Sequence, residues 1–279
     1  MTENIRPKKA LGQNFLTDRH VLDRIAGLVD RNPEARILEV GPGRGALTRL
    51  LAADGAHVLA IEVDRQLAPL LAQEFHDAGT VEIIQADILR TDLAELLRSR
   101  WEGRWTVAAN LPYNISSQVL FLFLENRSHF SRLVLMLQKE VGERLVARPA
   151  TKEYGILSVL FQMFFDIRRE ILVKPGSFHP VPKVDSVVLS FTLLPEPRAE
   201  VGDEALFRRV VKAAFGQRRK TLWNCLKSLE PGPGEQELTA VLAACNIDGR
   251  RRGETLSLDE FAALTRGLSG IEFTGKRVD

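Results

Sequence analysis

Arg36-Ile37-Leu38-Glu39-Val40-Gly41-Pro42-Gly43-Arg44-Gly45 is an apolar run that stops at three glycines, each one residue apart. Residues 36–41 read as a buried strand, and 46–54 carry helical periodicity in good helix formers. A glycine turn at such a junction lets the backbone approach a ligand closely, and the helix start supplies unpaired amides. Outward from it, His57–Asp64, Val81–Ala86, Trp105–Asn110 and Arg132–Gln138 read as further strands, with a helical pattern at Gln66–Ala78. Buried runs at this spacing mean repeated βαβ units: an α/β, Rossmann-like fold, with a mostly parallel sheet and helices on both faces. Ile167–Val173 and Val184–Leu194 suit strands near the sheet edge.

At Pro195–Pro197 the pattern changes to a short linker. Only helical periodicity follows, at Glu204–Phe215, Arg219–Leu229, Glu235–Ala244 and Leu258–Leu268, with Ser257 and Glu260 at capping-box positions. The expected division is 1–195 and 196–279, the second a small all-helical domain. A chain of 279 residues with 45% hydrophobic residues can bury a sizeable core, and its net charge of +2 announces no partner by itself. Cys225 and Cys245 lie far apart with no Cys or His at metal-ligand spacing, which speaks against disulfides and a metal site. Met1 to Leu16 lacks the apolar core of a secretory signal, and the longest apolar run, Val119 to Leu124, is too short to span a bilayer. No membrane association and a cytoplasmic location are the expectations.

The next two strand ends carry acids. Glu62 lies 21 residues after Gly41, where a carboxylate can accept from both ribose hydroxyls of an adenosine. Asp87 ends the third strand, where it can accept from an adenine amine while Ile88 packs on the ring. Gly41 and Gly43 complete the candidate nucleoside site. The turn lacks the full G-x-G-x-x-G spacing, with Ala46 and Thr48 in the later positions, and lacks a P-loop lysine. A nicotinamide cofactor stays open from this turn alone.

The fourth strand decides against it. It ends in Asn110-Leu111-Pro112-Tyr113-Asn114-Ile115-Ser116. An aromatic amine is a poor nucleophile because its lone pair is delocalised into the ring. The Asn110 side-chain carbonyl and a main-chain carbonyl at Leu111 or Pro112 can accept both amine hydrogens and turn the lone pair outward. Pro112 stiffens the turn, and Tyr113 can stack on a purine. Positioning does the work, and no strong base is required.

With these residues in hand, the chain resembles the ribosomal RNA adenine dimethyltransferase family, in particular its bacterial small-subunit branch. The resemblance runs nearly the whole length: Lys8–Leu16 (KKALGQNFL) resembles the family's cofactor-lid motif, Glu39–Thr48 its first methyltransferase motif, and Asn110–Ser116 its catalytic motif. Lys174–Ser186 resembles its late target-site motif, and Phe215–Lys220 and Arg252–Phe261 resemble segments of its helical domain. Gly216 and Trp223 depart from the more polar residues expected there. The resemblance implies a class I methyltransferase fold and S-adenosylmethionine as cofactor, held by Asn14, Leu16, Gly41, Glu62, Asp87 and Asn110. It implies target contacts at Asn110, Leu111, Pro112, Tyr113 and Phe178, with Phe178 stacking opposite Tyr113. It also implies dimethylation of two adjacent adenosines near the 3′ end of small-subunit (16S) rRNA, within an immature subunit. A monomer is expected.

Basic residues cluster despite the balanced total. Arg6, Lys8 and Lys9 precede the lid motif; Arg218, Arg219 and Lys220 open a helix; Arg250, Arg251 and Arg252 form a second triplet. The last two clusters, within 196–279, are the candidate rRNA contacts, suited to phosphate. Three other readings share parts of this pattern. A large-subunit rRNA methyltransferase of the resistance type has a similar catalytic turn. An assembly factor with a dead site would keep the fold. A DNA adenine methyltransferase would carry Pro where Leu111 stands.

Overall fold

The computed structural model describes residues 5–229 and 231–271. The chain forms two compact units, Met1–Gly142 with Ile167–Leu193, and Glu143–Asp166 with Leu194–Asp279.

The first unit is built on a seven-stranded sheet. Its parallel strands are β2 (Arg36–Val40), β3 (His57–Glu62), β4 (Val81–Gln85), β5 (Trp105–Asn110) and β6 (Phe130–Gln138). With β7 (Phe165–Val173) and β9 (Ser186–Leu193), the spatial order is β4-β3-β2-β5-β6-β9-β7. β2 pairs in parallel with β3 on one side and β5 on the other, Val40 standing opposite both Ile61 and Ala109. The chain winds away from β2 in both directions, which opens a crevice at the carboxyl ends of β2 and β5, the place where open α/β sheets bind ligands.

The strands are apolar along their length because both faces are covered. Ile37, Leu38, Val107 and Ala108 are fully buried. α1 (Arg19–Ala26) and α2 (Ala46–Ala52) contribute Val21, Leu22, Ile25, Leu47 and Leu51 to the core on one side. α3 (Leu67–Glu74), α4 (Leu93–Arg98) and α5 (Ser116–Glu125) complete the βα connections. The two late strands do lie toward one edge, but β9 runs antiparallel to β6, with Arg132 opposite Thr192 and Gln138 opposite Ser186. Apart from the main sheet, β1 (Phe15–Leu16) pairs antiparallel with β8 (Phe178–His179).

The second unit is helical. α6 (Lys139–Leu145) leads into it, followed by α7 (Ile156–Phe164), α8 (Glu204–Gly216), α9 (Leu222–Leu226), α10 (Glu235–Ala244) and α11 (Leu258–Ser269). The expected division at 195/196 differs from these units: 143–166 belongs with the helices, and the later boundary falls two residues earlier, before Leu194. There the Tyr154 hydroxyl donates to Leu256 O at 3.0 Å, Ala150 N donates to Glu254 O at 2.7 Å, and the Phe164 ring meets Phe207 edge-on at 6.5 Å. The capping box at α11 is present, Glu260 N donating to Ser257 Oγ at 3.1 Å and Ser257 N to Glu260 Oε2 at 2.8 Å. The helix expected from Arg219 starts later, because Thr221 caps α9 and the basic triplet before it is a turn.

Candidate active site

A cavity of about 510 Å³ opens at the carboxyl ends of β2, β3 and β5 in the first unit. One wall is the glycine turn. Gly41, Gly43 and Gly45 have φ of +71°, +59° and +76°, a region that L side chains rarely adopt. Space excludes side chains as well: a Cβ at Gly43 would lie 3.0 Å from Phe15 Cδ1, and one at Gly45 2.7 Å from Leu71 Cδ2.

Glu62, at the end of β3, is 4% exposed. Its carboxylate accepts from Gly43 N at 3.0 Å and Asp64 N at 2.9 Å, which ties the glycine turn to the second strand end. Burial nevertheless holds its pKa above the ordinary range against these amides. A carboxylate offers about four lone-pair positions, so acceptor capacity toward the cavity remains. Asp87 spends one oxygen on Leu89 N at 3.0 Å, capping the turn Ile88–Arg90, and Ile88 is buried against the cavity.

A second carboxyl, which sequence reading did not single out as a site residue, also lines the cavity. Glu39 lies inside β2, and its Oε2 has no hydrogen-bond partner. Desolvation pushes its pKa up to about 8; the buried Thr48 hydroxyl offsets this only in part, and the Glu62 charge adds to it. The signal was present: a charged residue inside an otherwise apolar strand needs a reason.

The segment before α1 closes another side. Lys8 Nζ and Gln13 Nε2 grip the two oxygens of Asp64 at 2.6 and 2.9 Å, and Lys8 N donates to Gln13 Oε1. Burial opposes ionisation of Asp64, but these bonds and that from Gln66 N prevail, and its pKa is lowered. The Arg44 guanidinium stacks 4.6 Å over the Phe15 ring and donates to Ile5 O at 2.8 Å. Asn14 O accepts from Asn110 Nδ2 at 3.2 Å.

Asn110 ends β5, and the Leu111–Ile115 turn follows into α5. The Tyr113 hydroxyl and Ser186 Oγ lie 2.6 Å apart, which fixes the ring; burial keeps the phenol pKa raised, so it stays neutral. Pro112 O accepts from Ile115 N at 3.2 Å, leaving the Leu111 carbonyl the freer of the two main-chain acceptors. The structure thus gathers Asn14, Leu16, Gly41, Gly43, Glu62, Asp87, Ile88 and Asn110–Tyr113 around one cavity.

Phe178 is different. It does not line the cavity, and at 2% exposed it packs into the core with Leu16, Val21 and Ile25. The β1–β8 pairing sets Phe178 opposite Leu16 and turns its ring into the protein, so the expected sandwich with Tyr113 is absent from this arrangement.

The basic triplets also divide. Arg251 is consumed internally, donating to both Glu260 oxygens and to Thr255 O. Arg218 donates to Glu254 and to Lys152 O, and exposed Arg250 pairs with Asp248 at 2.9 Å. Arg219, Lys220 and Arg252 are exposed and form no ion pair among the described residues. Among those residues there is no His, Cys, Asp or Glu group able to hold a metal ion, and no helix is long and apolar enough to cross a membrane.

A Rossmann-like sheet with carboxylates at successive strand ends, facing an Asn-Leu-Pro-Tyr turn across one cavity, is the architecture of a class I methyltransferase. The family model for ribosomal RNA adenine dimethylases matches residues 4–264, and the chain belongs to that family. Its reaction is the transfer of methyl groups from S-adenosylmethionine to adenine N6 in ribosomal RNA. It is 62% identical over 269 residues to ribosomal RNA small subunit methyltransferase A of Geobacter metallireducens, covering 96% of this chain and 98% of that one. The Geobacter sulfurreducens protein of the same name is also 62% identical, over 266 residues. Among solved structures, the 23S rRNA methyltransferase ErmE superposes with a TM-score of 0.67 at 25% identity, over 92% of this chain and all of that one. A Plasmodium falciparum dimethyladenosine transferase superposes at 0.77 with 24% identity, over 93% and 99%, a likeness of fold.

Proposed function

We propose that this enzyme dimethylates two adjacent adenosines near the 3′ end of small-subunit rRNA, in an immature subunit, as a cytoplasmic monomer. The carrying observation is that Asn110 and Tyr113 line the same cavity as Glu62 and Asp87. The names of the Geobacter relatives support the small subunit as target.

The residues fit the cofactor: the glycine cradle excludes side chains, and Glu62 and Asp87 stand at successive strand ends on the same cavity. Glu62 would hold the ribose hydroxyls, Asp87 the adenine amine, Ile88 the ring, and Gly41, Gly43, Asn14 and Leu16 the remaining surface. When bound, S-adenosylmethionine supplies an electrophilic methyl on a sulfonium. Asn110 Oδ1 and the Leu111 carbonyl accept the two hydrogens of the target amine, which lifts its lone pair out of conjugation. Tyr113 holds the base by stacking, and its bond to Ser186 fixes the ring plane. Arg219, Lys220 and Arg252 contact phosphate, and Arg250 joins them by exchanging Asp248; Arg251 and Arg218 hold the helical unit together.

The test is incubation with labelled cofactor and undermethylated small subunits, then mapping of modified bases. Methyl groups on two adjacent adenosines are expected. Methylation confined to large-subunit RNA would overturn the proposal and favour the resistance-type reading, which the ErmE likeness keeps in view.

A further inference from the structure

Three stretches far apart in sequence meet on the surface of the helical unit: 148–153 before α7, 217–220 after α8, and 248–255 before α11. Hydrogen bonds join them. Ala150 N donates to Glu254 O at 2.7 Å, and the Arg218 guanidinium donates to Lys152 O at 2.5 Å. Leu222 N, just past the middle stretch, donates to Arg251 O at 2.7 Å. A Cβ on Gly253 would lie 2.5 Å from Ala214 O, so the third stretch presses against the end of α8. The first stretch is also held from within. Thr151 Oγ1 donates to Arg148 O at 2.7 Å, and Pro149 fixes its own φ. Ala150 has a φ of +64°, which an alanine keeps only when its surroundings hold it.

The charges on these stretches do not balance. Their acids are Glu153, Asp248 and Glu254, and two are spent: Glu254 on Arg218 at 3.1 Å, Asp248 on Arg250 at 2.9 Å. Arg148, Lys152, Arg219, Lys220 and Arg252 are exposed and form no ion pair among the described residues, with only the exposed Glu153 carboxylate to set against them. Like charges gathered on bonded loops repel one another and leave a field that attracts an anion. What the surface lacks decides which anion. Single-stranded RNA is taken up by stacking its bases on exposed rings. Every large apolar side chain exposed among the described residues belongs to the first unit. Phe215 packs against Tyr154 and Phe261, and half-buried Trp223 carries the Lys227 ammonium over its ring. Cations without stacking rings suit the phosphates of a paired helix, whose bases are already stacked.

We propose that Arg148 and Lys152, from the segment before α7, complete a phosphate-binding surface with Arg219, Lys220 and Arg252, and that this surface seats the backbone of a double-helical stretch of rRNA. The inference rests on the reading of the last three residues as phosphate contacts. It extends that reading to a loop outside 196–279 and to paired rather than single-stranded RNA. Such a contact carries no sequence information; it fixes the register and orientation of the enzyme on its substrate.

The test measures binding to undermethylated small subunits over a range of salt concentrations for wild type, R148A/K152A, R148K/K152R and R219A/K220A. The alanine pair leaves the loop its bonds, because Thr151 and Arg218 use the Arg148 and Lys152 carbonyls. R148A/K152A is expected to bind about tenfold more weakly and to lower the salt slope by about two. R148K/K152R should bind as wild type. An alanine pair within about twofold of wild type overturns the inference. So does a loss of affinity with the salt slope unchanged, which would mark a structural role. R219A/K220A keeps the two readings apart: if it loses affinity while R148A/K152A does not, the earlier contacts stand and this extension falls. An RNA hairpin of unrelated sequence should compete with the subunits for wild type several-fold better than a single strand of equal length. Equal competition overturns the assignment to paired RNA.

Discussion

Glu39→Gln offers a direct measure of how the cavity is built. The Glu39 carboxyl is buried inside β2, one oxygen is unpartnered, and its pKa stands at about 8 against an ordinary 4.5. In the unfolded chain it ionises near the ordinary value. Below that pH both states are neutral, and the fold has its full stability. Between the two values only the unfolded chain has released the proton, so stability falls as pH rises, by about 1.4 kcal/mol per pH unit. Over the whole window the loss reaches at most about 5 kcal/mol, and above pH 8 it stops growing. Glutamine has a similar shape and no proton to lose. Urea unfolding of both proteins across pH 5 to 9 isolates the effect, because every other titrating group is shared. The stability difference should shift steadily in favour of Glu39→Gln as pH rises to about 8, then level off. Parallel curves would refute the reasoning: the carboxyl would then be ionised in the fold, with a partner compensating its burial.

Asn110→Ala should lower turnover by roughly 10²–10³ while leaving the melting temperature nearly unchanged, checked by methyl-transfer assay and thermal melts. Glu62→Ala should weaken cofactor binding in calorimetry, since it removes the proposed ribose acceptor and the partner of Gly43 N. Gly12→Ala forces a Cβ to 2.5 Å from Asn114 Oδ1 at a φ of +63°, and should raise the cofactor Kd through displacement of the N-terminal segment. Arg219→Ala should weaken RNA binding and reduce the salt slope by about one, whereas Arg251→Ala should lower stability through loss of Glu260, with the salt slope unchanged.

The strand ends were legible because a parallel sheet buried on both faces forces its strands to be apolar, so Glu62, Asp87 and Asn110 stand out where the runs stop. The parallel order around β2 follows from the same spacing. Non-local pairing was not legible. Phe178 sits in a motif similar to a target-site motif, but its ring direction is set by Leu16, far away in sequence. Arg251 looked like one of three equivalent arginines until the fold brought Glu260 against it. α7 escaped because Ile156–Phe164 is apolar on nearly every side, and periodicity cannot separate such a helix from a buried strand. The Lys8–Asp64 clasp joins residues 56 apart, with no local pattern to announce it.

That clasp bears on the chemistry through one amide. Asn110 donates its Nδ2 hydrogen to Asn14 O, in the segment that Lys8 and Gln13 fasten to Asp64. A carboxamide has one acceptor side and one donor side, so engaging Nδ2 with Asn14 fixes where Oδ1 points. Without Asn14 the amide could rotate and present hydrogens to an amine that needs acceptors. The same segment lines the cavity through Phe15 and Leu16. Lining the cavity and orienting the Asn110 amide therefore fall to one segment. An electrostatic site gains most when its dipoles are already aimed before the reaction begins. Here the aim comes from a main-chain carbonyl outside the Asn110–Tyr113 turn, in a segment that Lys8 and Gln13 fasten to Asp64.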